Sequence, residues 1–314
     1  MSGGQYGSPL RDMVGYGPNP PNPSWPKNAK VAVQFVVNYE EGAENNILHG
    51  DTGSEWLLSE IVGASSYKGV RHPNMESLYE YGSRAGFWRL HRMFTERAMP
   101  VTVFGCAMAL ERNPVAAKAM IDAGWEVATH GLRWIDYQYM GEDSERDHIA
   151  KAVSIQTRVC GSRPLGLYQG KPSPNTRRLA VAEGGFLYDS DAYNDELPYW
   201  NMEYGRPHLV IPYTLDANDM RFATSQGFNS GDQFYTYLKD SFDCLYKEGQ
   251  AGSPKMMSVG LHCRLVGRPG RAAALARFLD YVKSHDDVWV TRRVDIAHHW
   301  YKNFYPASHP KPKL

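Results

Sequence analysis

Apolar positions along this chain fall in short runs separated by longer stretches of helical period. The run Val31-Ala32-Val33-Gln34-Phe35-Val36-Val37 alternates too little for a half-solvated strand and is too short for a helix, so it predicts a buried parallel strand. Further strands are predicted at 100–104, 125–129, 186–190, 209–213, 256–261 and 288–291. Between them the pattern predicts helices at 84–97, 115–123, 144–159, from Ser173-Pro174-Asn175 to Gly184-Gly185, and at 231–246, 271–283 and 294–302. Gly124 closes the 115–123 helix as a C-cap should. Roughly seven strands with intervening helices and no composition break predict an α/β fold, a single distorted barrel of parallel strands over 29–305.

The ends read differently. Residues 1–28 are rich in Pro, Gly and Asn and predict an extended arm, and 306–314 hold three prolines that favour an extended tail. Between Glu41 and Arg84 the pattern offers one helix, near 54–62. A connection of that length is expected to be a functional lid or an interface element.

Composition narrows the partners. Lys plus Arg number 34 and Asp plus Glu number 34, so no basic excess exists for a phosphate backbone and no nucleic-acid partner is expected. No apolar stretch approaches a membrane span, and Met1-Ser2-Gly3-Gly4-Gln5 opens without a signal-peptide core. Cys106, Cys160, Cys244 and Cys263 have no disulfide or zinc-finger spacing, which suits a reducing compartment. Pro312-Lys313-Leu314 is a near variant of the Ser-Lys-Leu peroxisomal address, so a cytoplasmic or peroxisomal place is expected.

Candidate chemistry gathers at strand ends. Asn38-Tyr39-Glu40-Glu41-Gly42 puts two carboxylates at the C-terminal end of the first strand, where α/β folds place their chemistry. Like charges so close raise one pKa and can leave a general base near neutrality. Thr129-His130-Gly131-Leu132-Arg133-Trp134, Arg163-Pro164-Leu165-Gly166, Asp189-Ser190-Asp191 and Leu261-His262-Cys263-Arg264 fall at other strand ends on the same side. Tyr79 and Tyr81 read as core.

In that order and spacing these segments resemble the five motifs of the polysaccharide-deacetylase (NodB-homology) family, whose fold is a distorted (β/α) barrel. The resemblance implies Glu40 as base, Glu41 at a metal-ligand position, His130 as a metal histidine and Arg163 as the residue orienting the base. It further implies that Asp189 or Asp191 orients His262, the general acid. The second metal histidine is replaced by Trp134, and an indole offers only an N–H donor. Glu41 and His130 are then the residual ligand candidates, fewer than the three a catalytic zinc needs, so no metal or other cofactor is expected.

These departures are similar to those of the metal-independent allantoinases recruited from this family, which open the hydantoin ring of allantoin. The resemblance implies a small cyclic ureide as substrate, with Glu40 activating water and His262 protonating the departing nitrogen. Arg264 is the candidate oxyanion donor, and Glu41, His130, Trp134 and, from the 216–222 loop, Asn218 are candidate substrate contacts. It also implies a homo-oligomer, a tetramer as in relatives. Two other readings stay open: a carbohydrate N-deacetylase acting on chitin or peptidoglycan fragments, and a non-catalytic descendant that binds through the old cleft.

Overall fold

The structure is a computed structural model that describes residues 11–312; Lys313 and Leu314 of the candidate address, and the first ten residues of the arm, lie outside the described residues. In chain order its elements are β1 (Val31–Tyr39), α1 (Pro73–Tyr81), α2 (Phe87–Glu96), β2 (Thr102–Gly105), α3 (Ala107–Arg112), α4 (Pro114–Asp122), β3 (Glu126–Thr129), α5 (Glu142–Cys160) and β4 (Gly166–Leu167). They continue as α6 (Thr176–Glu183), β5 (Tyr188–Asp189), β6 (Tyr199–Asn201), β7 (His208–Val210), α7 (Gly231–Gln250), β8 (Lys255–His262), α8 (Pro269–Lys283), β9 (Val288–Val290) and α9 (Arg293–Asn303).

The strands form one curled sheet in the order β6-β7-β5-β4-β3-β2-β1-β8, with β9 added beside the first three residues of β1. All neighbours are parallel except β6, which returns antiparallel to β7. The sheet is a half-barrel of the expected α/β class. The pattern reading missed β4 and β6, strands of two and three residues.

Register fixes where chemistry can occur. Tyr39, Gly105, Thr129, Leu167 and Asp189 pair in sequence across five strands, and Asn38 pairs with His262 on the other edge of β1. The next residues along these strands therefore reach the C-terminal rim at one level. The period of two then sorts the side chains. Val31, Val33, Phe35, Val37 and Tyr39 pack outward with Phe94 of α2, Phe242 of α7 and Phe278 of α8 in the main core. Gln34, Asn38 and Glu40 alternate with them and face the barrel interior, as Ser258 and His262 do on β8. Below the rim the interior is polar and filled: Arg293 donates to Gln34 and Ser258 at 2.8 Å each and to the carbonyl of Pro212 at 2.8 Å.

The helix predicted near 54–62 is not present; that stretch is turns, tied by a bridge between Gly53 and Lys68. The connection holds α1 instead, which exposes most of its surface and buries only Met75 and Tyr79, too thin a stripe for the apolar pattern to reveal. A π-helical turn, Gly82–Gly86, joins it to α2. The 43–70 stretch lies against the rim: Arg133 donates to the carbonyl of Glu44 at 3.0 Å, and Leu58 accepts from Arg264 Nε at 3.3 Å. In the arm, Trp25 is buried against Trp289 and Trp300 and donates to the carbonyl of Lys255 at 3.0 Å. No helix among the described residues is long and apolar enough to cross a membrane.

Candidate active site

Glu40 is the centre of the rim. Its Oε1 lies 3.4 Å from His130 Nε2 and 3.5 Å from His262 Nε2, and its Oε2 lies 2.7 Å from Arg264 Nη1. All four side chains are buried. They arrive from three strand ends: Glu40 follows β1, His130 follows β3, and His262 closes β8 two residues before Arg264. Asp219 completes the set from a 3₁₀ turn (Asp219–Ala223) beyond β7. One of its oxygens is 2.6 Å from His262 Nδ1, and the other accepts the backbone N–H groups of His262 at 2.7 Å and Val266 at 2.9 Å.

The electrostatics follow from these distances. Burial opposes ionisation of Glu40, but the charges of Arg264 and His262 and the contacts of both histidines hold it well below the ordinary carboxylate range. Burial alone would neutralise His262, yet Asp219 and Glu40 raise its pKa to about 9. At neutral pH the pair is thus carboxylate and imidazolium. Glu41 points the other way, toward the π-helical turn, where a Cβ on Gly82 would lie 2.2 Å from its Oε1. One of its oxygens accepts the Glu40 N–H at 3.1 Å and the other has no hydrogen-bond partner, and burial, with Glu40 adjacent and Arg264 opposing, brings its pKa to about 7.

Trp134 forms a wall. Its backbone N–H is anchored on the carbonyl of Ala43 at 3.0 Å, and its ring centre lies 6.3 Å from that of Tyr79. Two cations approach the indole, Lys171 Nζ at 3.6 Å from the centroid and the Arg264 guanidinium carbon at 5.3 Å. Arg264 also lies 4.2 Å from the Tyr79 ring centre, so Tyr79, read as core, is floor to the site.

The fold family implies a metal here, and the side chains do not fit one. Among the described residues no group of three or more His, Cys, Asp or Glu is arranged to hold an ion. The two carboxylates share an arginine, at 2.7 Å from Glu40 and 3.9 Å from Glu41. An ion at that point would face a fixed guanidinium and an indole that supplies no lone pair.

The structure brings together Glu40, Glu41, His130, Trp134, His262 and Arg264, and leaves four expected residues elsewhere. Arg163 pairs with Glu183 at 2.8 Å near the surface and does not reach Glu40. Its place beside Glu40 is taken by Arg264, whose Nη2 has no hydrogen-bond partner. Asp189 does not hold His262; it is gripped by Arg177 at 2.7 Å and His208 at 2.9 Å. Asp191 does not hold His262 either; it accepts the N–H groups of Gln169 and Gly170, both at 2.7 Å. Asp189 ends β5 and Asp191 stands two residues beyond it, and their carboxylates are taken by these partners instead. Asn218 spends its amide on its own loop, accepting from Met220 N–H at 2.9 Å and donating to the carbonyl of Thr214 at 3.2 Å.

Sequence reasoning missed Asp219 and Lys171. The 216–222 loop pointed to the first, but nothing local says which of its polar residues meets β8. Lys171 lies in a turn after β4, a strand too short to mark the place.

The family profile described as polysaccharide deacetylase matches residues 68–182. The Schizosaccharomyces pombe protein named "Putative polysaccharide deacetylase" is 42% identical over 320 residues, covering 96% of this chain and 98% of its own. The crystal structure of Puue Allantoinase superposes with a TM-score of 0.93 at 59% identity, over 96% of this chain and 100% of that one. A probable polysaccharide deacetylase from Pseudomonas aeruginosa PAO1 does so with a TM-score of 0.92 at 59% identity, over 94% and 98%. With the strand order, the rim carboxylates and these similarities in hand, the chain belongs to the polysaccharide deacetylase family.

Proposed function

We propose that this protein is a metal-independent hydrolase that opens a ring C–N bond in a cyclic ureide of the allantoin class. The observation that carries the reading is Arg264, seated at 2.7 Å from the Glu40 carboxylate and against Trp134. A fixed guanidinium and an indole take up the space that a metal and its histidine would need, while the acid–base pair of Glu40 and His262 remains. A ring imide-like carbonyl is a more reactive electrophile than an acetamide, so it can be hydrolysed without an added Lewis acid. Trp134 offers a flat face for a flat ring. The 59% identity to the structure of Puue Allantoinase supports the same reading.

In this mechanism Glu40 takes a proton from water as its oxygen bonds to the ring carbonyl carbon. The tetrahedral adduct collapses, the C–N bond breaks, and the nitrogen takes the Nε2 proton of His262. Glu40 returns its proton to His262 across the 3.5 Å that separates them, and Asp219 keeps the imidazole oriented throughout. Entering substrate competes with Arg264 and the histidines for Glu40, and as their hold weakens the carboxylate becomes more basic.

The test is hydrolysis of allantoin and other cyclic ureides, beside N-acetylglucosamine oligomers, before and after dialysis against a strong chelator. Ureide turnover unchanged by chelation is expected. Turnover of acetylated sugars alone, abolished by chelation and restored by zinc, would overturn the proposal.

We also propose that the protein forms a homo-oligomer, a tetramer, through the 45–70 stretch. Leu48, Trp56, Val62, Tyr67 and Val70 are all exposed there, a density of apolar surface that suits a contact between copies. Sedimentation of the purified protein as a monomer at micromolar concentration would remove this reading.

A further inference from the structure

Water attack on an amide carbonyl puts a full charge on the carbonyl oxygen, and preorganised donors at that oxygen are a large part of catalysis. Arg264 Nη1 is 2.7 Å from Glu40, and its Nη2, without a hydrogen-bond partner, is one donor available there. Lys171 is a cation at the same site with no anion of its own. Its Nζ lies 3.6 Å from the Trp134 ring centre, and among the described residues it makes no ion pair or hydrogen bond within the usual limits. Lys171 is part-buried, and seating its ammonium against an indole with no protein acceptor costs solvation and lowers its pKa. The cost is one that a ligand oxygen would offset.

The turn that carries Lys171 is built to hold it still. Asp191 accepts the N–H groups of Gln169 and Gly170, both at 2.7 Å, and the Lys171 carbonyl accepts the Tyr137 N–H at 3.0 Å. Gly170 has φ +76°, and a Cβ there would lie 2.9 Å from His130 Cε1, so the backbone passes directly beside the site histidine. Gln169, from the same turn, is buried with its Nε2 unpartnered. The carboxylates of Glu55, Glu40 and Asp136 act on the ammonium favourably and Arg264 unfavourably.

The geometry points to Lys171 as a further catalytic residue, whose ammonium receives the carbonyl oxygen as it becomes an oxyanion. The water oxygen bonds to the carbonyl carbon, its proton goes to Glu40, and the C=O π pair moves onto the oxygen opposite Lys171. On collapse that pair returns, the C–N bond breaks, and His262 protonates the nitrogen. Lys171 changes neither bonding nor proton count. The identity of the carbonyl rests on the ureide reading; the need for a cation at its oxygen does not.

The experiment measures kcat, KM and Tm for Lys171→Met, Lys171→Gln and Lys171→Arg, with allantoin and with N-acetylglucosamine oligomers as substrates. Met and Gln are expected to lower kcat by about 10²–10³-fold, the scale of a lost oxyanion donor, with KM changed only a few-fold and Tm unchanged. Arg is expected to keep a tenth or more of kcat. Either of the uncharged variants alone decides: kcat within threefold of wild type, or a loss confined to KM, overturns the assignment. Wild-type turnover of the acetylated sugars instead of ureides would defeat the ureide reading while the same variants still judge Lys171. Turnover of neither substrate defeats both.

Discussion

Asp219 holds His262 at two points, one oxygen 2.6 Å from Nδ1 and the other accepting the backbone N–H of the same residue at 2.7 Å. The ring therefore has one orientation, with Nε2 aimed at Glu40, and the carboxylate raises its pKa to about 9. Burial pulls the other way, so removing the Asp219 charge lowers that pKa. Asp219→Asn is expected to lower kcat/KM by about 10²-fold or more and to move the alkaline limb of its pH profile toward lower pH. An unmoved limb would mean that the acid is another group.

Glu40→Gln and His262→Ala are each expected to reduce kcat by about 10²–10⁴-fold, measured at saturating substrate. Arg264→Gln should cost nearly as much activity and also about 3–5 kcal/mol of stability, since it leaves two buried carboxylates without their cation. Arg163→Ala is expected to stay within a few-fold of wild type, because its partner is Glu183 near the surface. Equal damage from both arginines would contradict the site geometry.

Glu41 gives a stability signature. Its pKa rises on folding from the ordinary 4.5 to about 7, so the folded protein holds this proton more tightly than the unfolded chain does. The cost of ionising it in the fold is absent below about 4.5, grows between the two values and is complete above about 7. Glu41→Gln removes that cost. The Tm of the variant relative to wild type is expected to be higher at pH 8 than at pH 4.5, and a constant difference across that range would show that Glu41 does not titrate as described.

Trp134→His is the reciprocal test of the metal disagreement. It replaces an indole that packs near Tyr79 and Lys171 with a possible ligand, but leaves Arg264 beside the two carboxylates. Ureide hydrolysis is expected to fall by at least tenfold, and calorimetry with zinc is expected to show no tight stoichiometric binding. Tight binding accompanied by rising activity would mean that Trp134 alone had displaced the metal.

The sequence by itself determined the frame. The seven-residue apolar run and the helices near 144–159, 231–246 and 271–283 are all local patterns. Period alone carries such information, because a buried strand or an amphipathic helix must repeat its apolar face to bury it. Glu40, His130 and His262 were legible too, since each follows a predicted strand, and Trp134 was legible as a departure from the motif it falls in. What tertiary structure decided was partnership. Arg264 rather than Arg163 meets Glu40, Asp219 rather than Asp189 or Asp191 meets His262, and Lys171 reaches Trp134 from a turn that no pattern marked. An ion pair or hydrogen bond requires polar atoms from separate elements to converge within about 3–4 Å, and its energy falls steeply beyond that. Strand register, the reach of the loop after β7 and the curl of the sheet set those distances, and none of them is written in the neighbouring residues.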